Sequence, residues 1–176
     1  MTREDIPIVA QLAVKWHGDQ MYGKHPYLLH LAEVYTLVHS VRPDDYDLLA
    51  AALLHDVLED TDITEEDILE VCSEKCLMYV KAVTDEPGET RELRKSATYL
   101  RMYNSPREED PAMLLKVADR LANCRRAKKD GKRSKLEMYR VENPTFQKAV
   151  HRPDQPVEWW GELFVLLTAD FININR

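Results

Sequence analysis

Residues 48–60 read LLAAALLHDVLED: an unbroken Leu/Ala run, then an adjacent His and Asp, then an acidic pair. A helix apolar on every side has to be covered on every side. The run therefore predicts a core helix over about residues 45–59, entered through the capping signal Pro43-Asp44-Asp45. Four ionisable groups then crowd its end, with His55 over Glu59 and Asp56 over Asp60, because residues i and i+4 share a face. Burying such groups unpaired is costly. A divalent cation removes the cost, since it takes neutral imidazole and ionised carboxylate as ligands. On the dipeptide alone, an exposed polar helix end, with Glu59 and Asp60 merely capping a turn, is the better fit.

Two further segments favour the metal. His30 interrupts the apolar stretch PYLLHLAEV, in a helix expected over about 27–41 whose stripes are Leu28, Leu31, Tyr35, Val38 and His30, Val34, Leu37. Taken alone, it also reads as a hydrogen-bonded core histidine. Asp119 interrupts LLKVADRLANCRR, among Leu114, Leu115, Ala118, Leu121 and Ala122, with Asn123 one turn on. Locally, an ion pair of Asp119 with Arg120 or Arg125 would also serve. Three separate apolar helices, each broken by a ligand-type residue, make His30, His55, Asp56 and Asp119 a candidate metal set. Two imidazoles and two carboxylates with room for water suit Mn²⁺, Fe²⁺ or Co²⁺ better than a thiolate-loving structural zinc.

The rest of the chain supplies helices to surround this core. Leu, Ala, Glu, Lys and Arg are abundant and glycines few. Helices are expected over about 5–17, ending near Gly18; from Thr64, whose capping box closes on Asp67; and over about 74–84, 89–104 and 110–128. Asn143-Pro144 and Gln155-Pro156 read as starts of the final helices, the last packing through Trp159, Trp160, Leu163 and Leu166. The fold class is all-α: a single-domain helical bundle over residues 1–176, with helices from about 133 packing on a motif-bearing core of about 8–128. Cys72, Cys76 and Cys124 are expected as buried or half-buried free thiols. No apolar stretch reaches membrane-spanning length, and the acidic start MTREDIPIVAQ is unlike a signal peptide, so a cytoplasmic location is expected. A net charge of −7 argues against a protein that coats nucleic acid, while leaving space for a small anionic substrate.

PYLLH, HDVLED and KVADRLANCR, in this order and at these separations, resemble the hydrolase domain of RelA/SpoT-type alarmone enzymes, above all the stand-alone small alarmone hydrolases of the HD superfamily. AVTDEPGETRELRKSATYLRM is similar to their stretch that brings basic residues to phosphates. The resemblance implies an HD-type bundle, a Mn²⁺-type metal on His30, His55, Asp56 and Asp119, and Glu59 and Asp60 as the groups that orient and deprotonate water. It carries Asn123 over as a nucleotide contact and implies removal of the 3′-pyrophosphate of ppGpp or a close relative. On that reading Arg94, Lys95 or Lys116 neutralises phosphate charge, although Arg94 and Lys95 also fit a solvated helix face. Lys15, Lys128 and Lys129 read as solvated surface.

Two departures bear on the base. The Arg-Lys-rich loop of the alarmone enzymes is replaced by the shorter QMYGKHPY, where Tyr22 can stack on a base or Lys24 meet a phosphate. Arg126 stands where those enzymes often have Thr. The competing readings are an HD phosphohydrolase acting on another nucleotide, and a non-catalytic nucleotide-binding regulatory module. Retention of Glu59 and Asp60 beside the metal set argues against the second.

Overall fold

The computed structural model describes residues 1–172. The helices are α1 (Ile6–His17), α2 (Leu28–Val41), α3 (Tyr46–Leu54), α4 (Val57–Asp60), α5 (Glu65–Leu69), α6 (Glu74–Val83), α7 (Arg91–Tyr103), α8 (Asp110–Lys129), α9 (Arg133–Val150) and α10 (Val157–Ile172). A minimal antiparallel hairpin, β1 (Met21–Tyr22) with β2 (His25–Pro26), joins α1 to α2, and Gly23 turns it at φ +66°. The fold is all-α, as the composition implies.

Every residue of α3 from Leu48 to Leu54 is buried, because α1, α2 and α6 enclose it. The long α8 is the second axis of the bundle, packed by α2, α6, α9 and α10. Its interior face carries Leu114, Leu115, Ala118, Leu121 and Ala122. The helix starts follow local chemistry: Asp45, Ser73 and Thr90 each accept a backbone N–H at an N-terminus, and Thr64 and Asp67 form a reciprocal capping box. Gly18, at φ +51°, takes the chain out of α1.

Three local expectations need correction. The core helix does not run through residue 59: it stops at Leu54, and Asp56 takes φ −103°, ψ −1° before α4 begins. This is the sparsely populated bridge region, where the backbone departs from a regular helix. Leu28, the first residue of α2, is 43 % exposed and stands outside the buried stripe. Asn143-Pro144 starts nothing. Pro144 lies inside α9, and Leu136, Tyr139, Phe146, Ala149 and Val150 hold that helix across the missing N–H.

At the C-terminal end, Trp159, Leu163 and Leu167 are buried, and Trp160 rests against Phe146 at 6.1 Å between rings. Residues 173–176 of the expected C-terminal segment lie outside the described residues. All three cysteines are buried and free. Among the described residues, no helix is long and apolar enough to cross a membrane.

Candidate metal centre

The backbone break after α3 delivers the His-Asp dipeptide to the site. His55 and Asp56 leave the end of a buried helix, and their side chains meet His30 from α2 and Asp119 from α8. His55 Nε2 lies 3.0 Å from Asp56 Oδ2 and 3.2 Å from His30 Nε2. His30 Nε2 is 3.2 Å from Asp119 Oδ1 and 3.5 Å from Asp56 Oδ2, and His55 Nε2 is 3.8 Å from Asp119 Oδ1. Two ligands held at about 2.1 Å from one ion lie roughly 3.0–3.5 Å apart, and most of these separations match that spacing.

The His55 tautomer agrees. His55 Nδ1 donates to the Ala52 carbonyl at 2.9 Å, which leaves the lone pair of a neutral ring on Nε2, facing His30. Two imidazole nitrogens at 3.2 Å inside an apolar bundle need either a proton or a cation between them. His30, His55 and Asp56 thus fit a metal ion, and Asp119 borders the same space. Without one, burial opposes the imidazolium forms, but the carboxylates outweigh it and hold both histidines above the ordinary value, His55 well above. Burial likewise opposes the Asp56 and Asp119 anions, and the imidazoles hold both well below the usual range.

A second ring of side chains fixes this cluster. The Tyr27 hydroxyl donates to Asp56 Oδ2, and its ring stacks on His17 at 4.6 Å. Tyr22 packs over His30 at 4.7 Å between rings and donates to Asn123 Oδ1 at 2.9 Å. Asn123 Nδ2 in turn donates to Asp119 at 2.6 Å. Lys116 is buried and donates to the Val83 carbonyl at 2.6 Å. Burial disfavours its charge, but Asp119, Glu59 and Asp85 outweigh that and raise its pKa.

The sequence profile of the HD domain matches residues 9–149. The chain belongs to the HD domain family.

This HD domain is 32% identical over 123 residues to a guanosine-3′,5′-bis(diphosphate) 3′-pyrophosphohydrolase of Aquifex aeolicus, covering 69% of the chain and 18% of that protein. It is 37% identical over 102 residues to the guanosine-3′,5′-bis(diphosphate) 3′-pyrophosphohydrolase MESH1 of Drosophila melanogaster, covering 57% of the chain and 55% of the relative. The chain therefore matches less than two thirds of the length of either curated relative. The solved structure of a metazoan ortholog of SpoT, which hydrolyses ppGpp and plays a role in starvation responses, matches with a TM-score of 0.80 at 25% identity. That match covers 98% of both chains.

Within the HD domain, Glu59 and Asp60 sit on α4 beside the cluster, each held from a loop. Glu59 Oε1 accepts the Asp85 N–H at 2.7 Å, and Asp60 Oδ2 accepts from Gln20 Nε2 at 2.7 Å. Surrounding protein raises the Glu59 pKa, with Asp85 and Asp56 adding to the shift and Lys116 opposing it. Lys95 pairs with Asp85 at 2.6 Å, and burial with the nearby Lys116 charge lowers its pKa. Arg94 turns instead toward the Gly88 carbonyl at 3.1 Å, and Lys24 is exposed in the hairpin turn. Arg120 and Arg125 do not pair with Asp119: they bond Glu142 at 3.0 Å and Glu162 at 2.6 Å.

Arg126 is 6 % exposed, bonds Glu33 at 3.1 Å and lies 5.8 Å from the Tyr22 ring centre. A groove of about 950 Å³ between α7 and α9 shares Lys95 with the site but is lined by none of His30, His55, Asp56 and Asp119.

Several residues placed here have no counterpart in the sequence reading. Tyr27 was within reach, since it precedes His30 by one turn and the two rings lie 5.5 Å apart. Gln20 and Asp85 come from loops without periodicity. Lys135 reaches Asn123 Oδ1 at 3.3 Å from α9, a helix whose docking no local pattern announces.

Proposed function

We propose that this HD domain is a single-domain, metal-dependent nucleotide pyrophosphohydrolase that removes the 3′-pyrophosphate of ppGpp or a close relative. The observation that carries the reading is the buried convergence of His30, His55, Asp56 and Asp119, flanked by acidic Glu59 and Asp60 on one segment and by Lys116 and Lys95. The names of the relatives and the nearly complete structural match support the alarmone substrate.

His30, His55, Asp56 and Asp119 hold the metal, with Mn²⁺ first choice and Fe²⁺ or Co²⁺ as alternatives. A divalent ion bound there lowers the pKa of a coordinated water and withdraws charge from the phosphoryl group. Glu59 and Asp60 orient the water and take its proton. Water oxygen joins the phosphorus at the 3′ position, the bond from that phosphorus to the ribose oxygen breaks, the ribose oxygen takes up the proton lost by the water to become the 3′-hydroxyl, and pyrophosphate is released. Lys95 and Lys116, with Arg94 and Lys24 from the exposed side, neutralise phosphate charge. Asn123 offers its remaining amide proton to the nucleotide, since Tyr22, Lys135 and Asp119 take up its other capacity. Tyr22 forms the wall of the base side.

One observation favours a second reading, an HD phosphohydrolase acting on another nucleotide. Arg126 stands over the Tyr22 ring, 5.8 Å from its centre, and pairs with Glu33 at 3.1 Å, so a guanidinium and a carboxylate accompany the proposed base wall.

The test is release of pyrophosphate from ppGpp by the Mn²⁺-loaded protein, with Asp56→Ala as the blank. Pyrophosphate that appears with the parent and not with the variant supports the alarmone reading. Stoichiometric metal and full turnover in Asp56→Ala overturn the metal assignment. A metal-loaded parent inert toward ppGpp but active on another pyrophosphorylated or phosphorylated nucleotide selects the second reading.

A further inference from the structure

A chain of hydrogen bonds runs from the end of α1 to α4. His17 Nδ1 lies 2.7 Å from Gln20 Oε1, and Gln20 Nε2 lies 2.7 Å from Asp60 Oδ2. The carboxylate accepts from the Gln20 amide nitrogen, so the amide oxygen faces His17, whose Nδ1 must carry the proton. His17 thereby selects the orientation of the Gln20 amide that presents a donor to Asp60.

The loop is built to hold that geometry. The Gln20 N–H donates to the His17 carbonyl at 3.0 Å, and the Gln20 carbonyl accepts the Tyr27 N–H at 3.0 Å. His17 is buried and stacked at 4.6 Å and 23° on Tyr27, whose hydroxyl holds Asp56. One loop thus supplies a neutral donor to each of two carboxylates four residues apart. Among the described residues, no cation forms a salt bridge with Asp60, so the Gln20 amide is what orients it. A cation in that place would also neutralise the negative charge that a proton acceptor needs.

We propose that Gln20, oriented by His17, is a positioning residue that fixes the Asp60 carboxylate so that one oxygen is held by the amide and the other is left for water. The inference rests on the reading of Asp60 as a proton-accepting group in the proposed reaction. A carboxylate free to rotate spends little time with a lone pair toward the water, and small misplacements of reacting groups are costly in rate.

The test compares Gln20→Ala, Gln20→Glu, His17→Phe and Asp60→Asn in the Mn²⁺-loaded protein, with metal stoichiometry and melting temperature measured for each. Gln20→Ala is expected to lose on the order of 10–100-fold in kcat with KM and metal content unchanged. Gln20→Glu keeps the shape but sets carboxylate against carboxylate. It should be slower than Gln20→Ala near neutral pH and recover relative to the parent as pH falls, when a shared proton restores the donor.

A merely structural side chain gives the opposite order, with Gln20→Glu the milder change and its ratio to the parent independent of pH; that result overturns the proposal. Should both Gln20 variants fail to fold, His17→Phe decides. It keeps an aromatic on Tyr27 and removes a buried Nε2 that has no partner, so it should fold and yet lower kcat. Full activity there overturns the proposal. Asp60→Asn separates the two levels: if it is fully active, the role of Asp60 itself falls. If it is inactive while the Gln20 and His17 variants are unimpaired, only the positioning role falls.

Discussion

Tyr27 donates its hydroxyl proton to Oδ2 of Asp56, the same oxygen that stands 3.0 Å from His55 Nε2 and 3.5 Å from His30 Nε2. A single carboxylate oxygen is therefore shared by a phenol and the space between two imidazoles. Groups that orient a metal ligand in this way typically contribute 10–100-fold to metal affinity. Tyr27→Phe keeps the ring on His17 and deletes the donor, so Mn²⁺ binding should weaken about 10–100-fold with the fold intact. Calorimetric titration of the metal-free protein checks this, and unchanged affinity would remove Tyr27 from the centre.

Glu59 links the site to stability. Its carboxyl pKa is raised by burial, so the folded protein holds the Glu59 proton more tightly than the unfolded chain does. Stability is then lost as pH rises from the unfolded value toward the raised folded one. Glu59→Gln carries no such cost and can still accept the Asp85 N–H. Metal-free Glu59→Gln should melt above the parent near neutral pH, with the gap closing below about pH 4. In the Mn²⁺-loaded protein, if Glu59 acts as the proposed base, the variant should lose ~10²–10⁴-fold in rate. Melting curves at two pH values test the first half, and a gap that widens on acidification contradicts it.

Arg126 and Glu33 form a buried-to-half-buried pair in which Arg126 Nε and Nη1 and Glu33 Oε2 have no hydrogen-bond partner. Arg126→Thr leaves the Glu33 carboxylate without its cation, which should cost about 1–3 kcal/mol. Adding Glu33→Gln should recover part of that loss. Urea unfolding of the two single variants and the double variant measures the coupling, and strict additivity would show that the pair contributes nothing.

Pro144 sits inside α9 and removes one helical hydrogen bond. Interior proline costs about 3 kcal/mol, offset by roughly 0.4–1 kcal/mol from a stiffer unfolded chain. Pro144→Ala should therefore raise stability by roughly 1–3 kcal/mol without touching turnover. A lower melting temperature would mean that the ring itself packs against the bundle.

What the sequence determined by itself is whatever neighbours within one or two turns encode. Leu48–Leu54 is apolar around the whole helix circumference, so a fully enclosed α3 was legible. So were the caps at Asp45 and Thr64, where donor and acceptor are three residues apart, and the ligand-type residues His30 and Asp119 interrupting apolar stripes. The tertiary structure decided the rest. The same apolar run that predicted a continuous helix to residue 59 concealed the break at Asp56, because that distortion answers to partners on other elements. Asp60 meets Gln20 across 40 residues, Glu59 meets Asp85 across 26, and Tyr22 reaches Asn123 across 101. Pro144 read as a helix start by its local chemistry, and packing of α9 overruled it. Helical periodicity says which face of a segment turns inward, but not which other segment it meets; that depends on how α1, α2, α3, α8 and α9 dock, and docking is a property of the assembled core.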